Sequence, residues 1–208
     1  ERVVKCFNST GFENMTNPNY GNLALDMFMA GNDKASKEIV KSLVLDLGFE
    51  NCYDFGGDDK VGVFICLEVL KHTDNIKVVF FRDEEAGCIG SNLADKAFFE
   101  NCYYVLEFDR RGNADFVIDA NGVQLSTKAF QQAILPYVHK YGYSYSLGGG
   151  TDVQALKIIG IKCSMANMSC GYYNPHLDNE YVIIEDVMNT LNLALELIEN
   201  IDESYDFE

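Results

Sequence analysis

Basic residues are scarce in this chain: 16 lysines and arginines stand against 32 aspartates and glutamates, a formal net charge of −16. That imbalance repels phosphate backbones and anionic headgroups, so neither nucleic acid nor a membrane surface is an expected partner. Long apolar runs are missing as well. The longest, such as residues 61–70, are broken by charge well short of the roughly 20 residues a bilayer span needs, and a soluble protein is expected. No CxxC pair occurs among the seven cysteines, an odd number with several members inside apolar runs; reduced, buried thiols are the expectation. Sequons at Asn8, Asn14 and Asn167 are tripeptides common by chance, and no signal peptide precedes them, so the expected compartment is the cytoplasm.

What is present suffices for one domain: 208 residues, 48% of them hydrophobic, can fill a continuous core, and residues 1–208 are read as a single unit. The chain opens on Glu1 rather than methionine, which implies a processed or missing start, and residues 202–208 read as a solvated acidic tail. Short apolar runs at 23–30, 76–81, 102–108 and 161–165 read as strands. Helical periodicity places Val63, Phe64, Leu67 and Leu70 on one face of 59–72, Phe130, Ile134 and Val138 on 127–140, and Val187, Leu191, Leu195 and Ile198 on 184–198. Alternating strands and amphipathic helices predict an α/β fold, a mostly parallel sheet sandwiched by helices. Asn121-Gly122 between short apolar segments predicts a hairpin.

In such sheets the functional groups gather where strands end, and acids stand at those ends. A strand at 51–55 leads into Gly56-Gly57-Asp58-Asp59-Lys60-Val61-Gly62, where paired carboxylates are either helix caps or metal ligands. The strand at 77–81 runs into Arg82-Asp83-Glu84-Glu85-Ala86-Gly87. Two adjacent glutamates between a buried strand and a glycine turn can divide tasks, one on a metal and one as general base. The strand at 103–108 ends at Asp109-Arg110-Arg111-Gly112-Asn113, and His176 lies in a proline-bounded loop before the last helix.

Taken in order, GGDDKVG, RDEEAGCIGS, FDRRGN, GGGTD and NMSCGYYNPHLDNEY resemble the metal-site motifs of the co-catalytic zinc exopeptidases, peptidase T-like proteins above all, over roughly residues 52–198. The resemblance implies a zinc exopeptidase-like catalytic domain with one or two zinc ions or other divalent metals. It implies that Asp58 bridges them, that Glu85 and His176 complete one site, that Asp109 serves the other, and that Glu84 activates the attacking water. A carboxylate bridging two cations acidifies a shared water, and the metals stabilise the tetrahedral oxyanion.

The chain departs from that family in two places. Only three histidines exist, and the HxD motif expected at an earlier strand end is replaced by Gly31-Asn32-Asp33: Gly31 stands in for the ligand, while Asp33 keeps the orienting position. His72-Thr73-Asp74 spells HxD but follows a helix, and His139 sits on a helix, so neither is read as a ligand. The interval from Asp109 to His176 is too short for an inserted lid, so a lidless form is expected; residues 1–42 match the family poorly. The leading expectation is a metallopeptidase acting on short peptides. Its rival is a weakened relative kept as a binding or structural component of an assembly. A third reading is hydrolysis of a non-peptide amide by the same metal pair.

Overall fold

The computed structural model describes residues 4–6, 19–20, 23–24, 27–31, 34–50, 52–54, 58, 60–177 and 179–207. The chain divides into two compact units, Glu1–Gly56 and Gly57–Glu208.

The first unit contains β1 (Val4–Cys6), β2 (Asn19–Tyr20), β3 (Leu23–Ala24), β4 (Met27–Gly31), α1 (Lys34–Asp46) and β5 (Cys52–Asp54). The single strand expected over 23–30 is two: β3 pairs with β2, whereas β4 lies between antiparallel β1 and parallel β5. β4, α1 and β5 thus form a βαβ unit, with Val44 and Phe49 buried beneath the helix.

The second unit contains α2 (Lys60–Val69), α3 (Ile89–Asn92), β6 (Tyr104–Arg110), β7 (Asp115–Ala120), β8 (Val123–Gln124), α4 (Lys128–Lys140), β9 (Ser144–Gly148) and α5 (Asp152–Ile158). β10 (Ser164–Ser169), β11 (Tyr172–Tyr173), β12 (Tyr181–Val182) and α6 (Ile184–Asn200) complete it. Its main sheet has the order β6-β10-β7-β8 with β9 on the other side of β7. β10 is parallel to β6 and β9 to β7, while β10 and β8 are antiparallel to β7. Alternation along the strands sends Phe116 and Ala166 into one core, with α2, α4 and α6, and Val117 and Met165 into a second core with α5. The sheet is therefore covered on both faces, and all six residues of β10 are buried, as the position between β6 and β7 requires.

Local chemistry accounts for several elements. Thr127 Oγ1 accepts from the Phe130 amide at 3.2 Å and caps α4, whose Phe130, Ile134 and Val138 are buried as their spacing predicts. Asn121 and Gly122 adopt φ of 50° and 81°, the left-handed pair of a tight hairpin turn, and join β7 to β8. Helix α2 differs from expectation: it buries Val61, Gly62, Ile65 and Val69, leaving Phe64, Leu67 and Leu70 substantially exposed. Gly62 decides the face. A Cβ there would run into the Phe108 carbonyl oxygen, so only glycine lets the helix lie this close to β6.

Two further differences have physical causes. Residues 76–81, read as a strand, form no ladder. They are tethered instead through Lys77 Nζ, which donates to the carbonyls of Phe98 (2.6 Å) and Glu100 (3.0 Å). A groove of about 680 Å³ lined both by residues 74–79 and by the β6 edge lies where the ladder would be. The acidic end is anchored: Tyr205 packs on Phe130 with ring centroids 5.6 Å apart, its carbonyl accepts from Ser164 Oγ at 2.6 Å, and Lys157 lies over the Phe207 ring. No helix among the described residues is long and apolar enough to cross a membrane.

Candidate metal centre

Because β6 and β10 run parallel, their C-terminal ends open on the same sheet edge, where side chains from distant parts of the sequence meet. Asp109 ends β6. The segment after β10 is stitched to it by backbone bonds from Gly112 to the Tyr172 carbonyl and from Gly171 to the Gly112 carbonyl, each 2.8 Å. Those bonds place the loop that carries His176. Asp58 lies in the turn before α2, with its amide donating to Glu180 Oε1 at 2.8 Å.

Asp58, Glu85 and His176 converge, each offering a ligand atom within 4.8 Å of the others. His176 Nε2 lies 3.1 Å from Glu85 Oε1 and 3.3 Å from Asp58 Oδ2. Ligands at about 2.0–2.1 Å from a tetrahedral zinc are separated by ~3.3 Å from one another, so these contacts have the length of tetrahedral edges. Two carboxylates and one imidazole also match a catalytic zinc's three protein ligands with a fourth position left open. Among the described residues no other group of three His, Cys, Asp or Glu side chains has this proximity, and His72 and His139 stand outside it. Both loops that feed the site hold non-glycine residues at positive φ: Asp83 (59°) and Cys88 (55°) on one, Asn174 (56°) and His176 (62°) on the other. Such backbone strain persists only where the surroundings over-determine the conformation.

The three residues line a cavity of about 320 Å³ together with Glu84, Asp109 and Arg111. Glu84 Oε1 accepts from the Cys88 thiol at 3.6 Å; burial, then the Glu84 and Asp152 carboxylates, push that thiol up to about 12, so it stays protonated as a donor. Asp109 Oδ1 accepts from the Tyr172 hydroxyl at 3.3 Å, and burial followed by Asp109 holds this tyrosine well above its ordinary range. Gly31 closes β4 in the N-terminal unit, and Asp33 lies outside the described residues.

From the cavity wall, where Thr151 and Asn167 stand, a polar network runs inward that the sequence reading did not anticipate. Asn167 Nδ2 donates to Thr151 Oγ1 at 2.9 Å, Thr151 donates to the Glu107 carboxylate, and the Asp152 amide donates to Glu107 at 3.1 Å. Ser91 Oγ closes the chain on Asp152 Oδ1 at 2.5 Å, tying α3 to α5. Burial pushes Glu107 up to about 8 despite the Thr151 hydrogen bond. Asn167, which heads both a sequon and the NMSCGYYNPHLDNEY motif, is 4% exposed inside β10 and shut off from glycosylation, while Asn8 and Asn14 lie outside the described residues. The usable signal was a lone amide inside an apolar run, since a buried amide has to be paired.

No family model and no curated protein sequence matches the chain. In fold it is similar to the aminopeptidase PepT from Bacillus cereus, with a TM-score of 0.59 and 15% identity over 71% of this chain and 72% of that one. It is also similar to a TET aminopeptidase from a marine sediment archaeon of the Thaumarchaeota, with a TM-score of 0.54 and 16% identity over 70% of this chain and 48% of that one. An aminopeptidase from Desulfurococcus kamchatkensis gives 0.53 and 20% over 68% and 47%. The chain spans about half the length of the last two. What it shares with them at these identities is the fold, an α/β architecture with a mixed sheet flanked by helices.

Proposed function

We propose that this chain is a metal-dependent peptidase of exopeptidase type, acting on short peptides. The observation that carries the reading is the convergence of Asp58, Glu85 and His176 within 4.8 Å from three separate segments of the sequence. These residues would hold one divalent cation, zinc by the chemistry of the donor set, and Asp109 would serve a second position. When bound, such a cation supplies Lewis-acid polarisation of a peptide carbonyl and acidifies water.

Glu84 is the general base. It lines the same cavity, stands next to a ligand without belonging to the trio, and can take a proton from a water in the cavity and pass it to the leaving amine. Asp58, only 13% exposed at its side chain, and His176 orient each other; Tyr172 fixes the Asp109 carboxylate. A cavity of about 320 Å³ admits the end of a short peptide, near the lower limit of ligand pockets. The net charge of −16 disfavours nucleic acid as an alternative ligand. We place the activity in the cytoplasm, and read the whole chain as one catalytic domain.

Elemental analysis of the purified chain, joined to hydrolysis of a panel of di- and tripeptides with and without added zinc, tests the reading. About one tightly held metal and zinc-dependent hydrolysis are expected; a protein that binds no zinc and cleaves no peptide overturns it. One observation favours a second reading, a weakened relative serving as a binding component of an assembly: Gly31 stands where the family order puts a histidine. Peptide binding without turnover in the zinc-loaded protein would select it.

A further inference from the structure

Three basic residues line the acidic cavity, the arginines Arg110 and Arg111 and the imidazole of His176. His176 is engaged with Asp58 and Glu85. Arg110 is committed to Asp115, with Nη2 and Nε at 2.7 and 2.9 Å from the same Oδ2. Arg111 is different. Among the described residues its guanidinium has no ion pair or hydrogen bond, although four carboxylates, those of Asp58, Glu84, Glu85 and Asp109, share the cavity with it.

The position of Arg111 is nevertheless fixed. Its carbonyl accepts from Ser169 Oγ at 2.8 Å, and the residues on either side are held by bonds from Cys170 N to the Arg110 carbonyl (2.9 Å) and from Gly112 N to the Tyr172 carbonyl (2.8 Å). A rigid backbone thus presents an exposed, uncommitted guanidinium to the cavity. Gly148, Gly149 and Gly150 line it too, and a Cβ on Gly149 would meet nothing within 4 Å, so open backbone is available to a ligand's main chain.

We infer that Arg111 is the anchor for the free α-carboxylate of a short peptide, and that peptides ending in a free carboxylate close to the scissile bond are the preferred substrate class. The inference rests on the peptidase reading above. A guanidinium presents a planar fork of donors that matches a carboxylate bidentately, and the charge-assisted pair is about twice as strong as a neutral hydrogen bond. Among the described residues that line the cavity, Arg111 is the arginine not already paired with a carboxylate, and so the one whose fork is open to an α-carboxylate.

The test compares Ala-Ala-Ala with its C-terminal amide on the zinc-loaded full chain. The free acid is expected to exceed the amide in kcat/KM by about 10- to 100-fold, the range of one charge-assisted pair. Arg111→Gln should bring that ratio close to one, mainly through KM, and Arg111→Lys should leave an intermediate ratio because it keeps charge without the fork. Calorimetry of the same two peptides on zinc-loaded Glu84→Gln protein reads the preference without turnover, and the wild-type comparison needs no variant at Arg111. Equal handling of acid and amide by the wild type, or an acid preference that survives Arg111→Gln, overturns the inference. Hydrolysis of both peptides without preference leaves the peptidase reading standing alone. Acid-selective binding with no hydrolysis overturns that reading and leaves Arg111 as the anchor.

Discussion

Asn167 on β10 grips Asp109 on β6 with both ends of its amide: Nδ2 donates to the Asp109 carbonyl at 2.9 Å, and Oδ1 accepts the Asp109 amide at 3.1 Å. The ladder between the two strands shifts register between Asn167 and Ser169, so this side chain supplies the bonds that the irregular ladder leaves out. It thereby sets the strand-end backbone from which the Asp109 carboxylate enters the cavity. Asn167→Ala removes the side-chain partners of the Asp109 amide and carbonyl and one bond to Thr151, whose hydroxyl still donates to Glu107; buried groups left unsatisfied cost about 1–3 kcal/mol each. We expect at least about 2 kcal/mol of destabilisation by urea denaturation. An unchanged midpoint would show that water replaces the amide.

Glu84→Gln separates proton transfer from metal binding. The neighbouring Glu85, not Glu84, sits in the trio with Asp58 and His176. The variant should retain its zinc and lose about 10²- to 10⁴-fold in kcat, the usual contribution of a general base. Loss of metal from this variant would exchange the roles of the two glutamates.

His176→Ala removes the imidazole from the trio that we propose holds the metal. Even the loss of a group that only orients a metal ligand costs about 10- to 100-fold in affinity, so a larger loss is expected here. Competition with a chelator of known zinc affinity measures it. Chelator treatment of the wild type should abolish peptide hydrolysis, and zinc should restore it.

Gly62→Ala tests the packing of α2 on β6. In an isolated helix alanine would gain about 0.8–1.0 kcal/mol over glycine. Here the added methyl meets the Phe108 backbone carbonyl, which cannot rotate aside, and overpacking of this kind costs about 1–3 kcal/mol. The clash should prevail, lowering Tm; a raised Tm would mean that α2 can lift from the sheet.

Much of the second unit was legible because its signals are local. Thr127 before a run with Phe130, Ile134 and Val138 at four-residue spacing describes α4 without reference to any partner, and Asn121-Gly122 describes its turn for the same reason. The face of α2 was not legible: apolar residues encircle most of that helix, and only the approach to β6 permitted by Gly62 selects the buried side. Residues 76–81 carry strand composition, yet a ladder needs a neighbour at hydrogen-bonding distance, and no local signal specifies one.

The sequence by itself determined which side chains could serve a metal, since the acids and histidine of the quoted motifs sit at the ends of apolar runs and before glycine turns. Tertiary structure decided which of them meet. Parallel pairing of β6 with β10, and the bonds that stitch residues 110–112 to 169–172, bring a histidine of the late loop to within 3.3 Å of a carboxylate 118 positions earlier (176 − 58). The same packing made Asn167 the clamp on Asp109, and left Arg111, among the described residues, as an arginine of the cavity without an ion pair. Pairing partners and burial depend on contacts between residues far apart in the chain, and such contacts leave no periodicity in the sequence to be read.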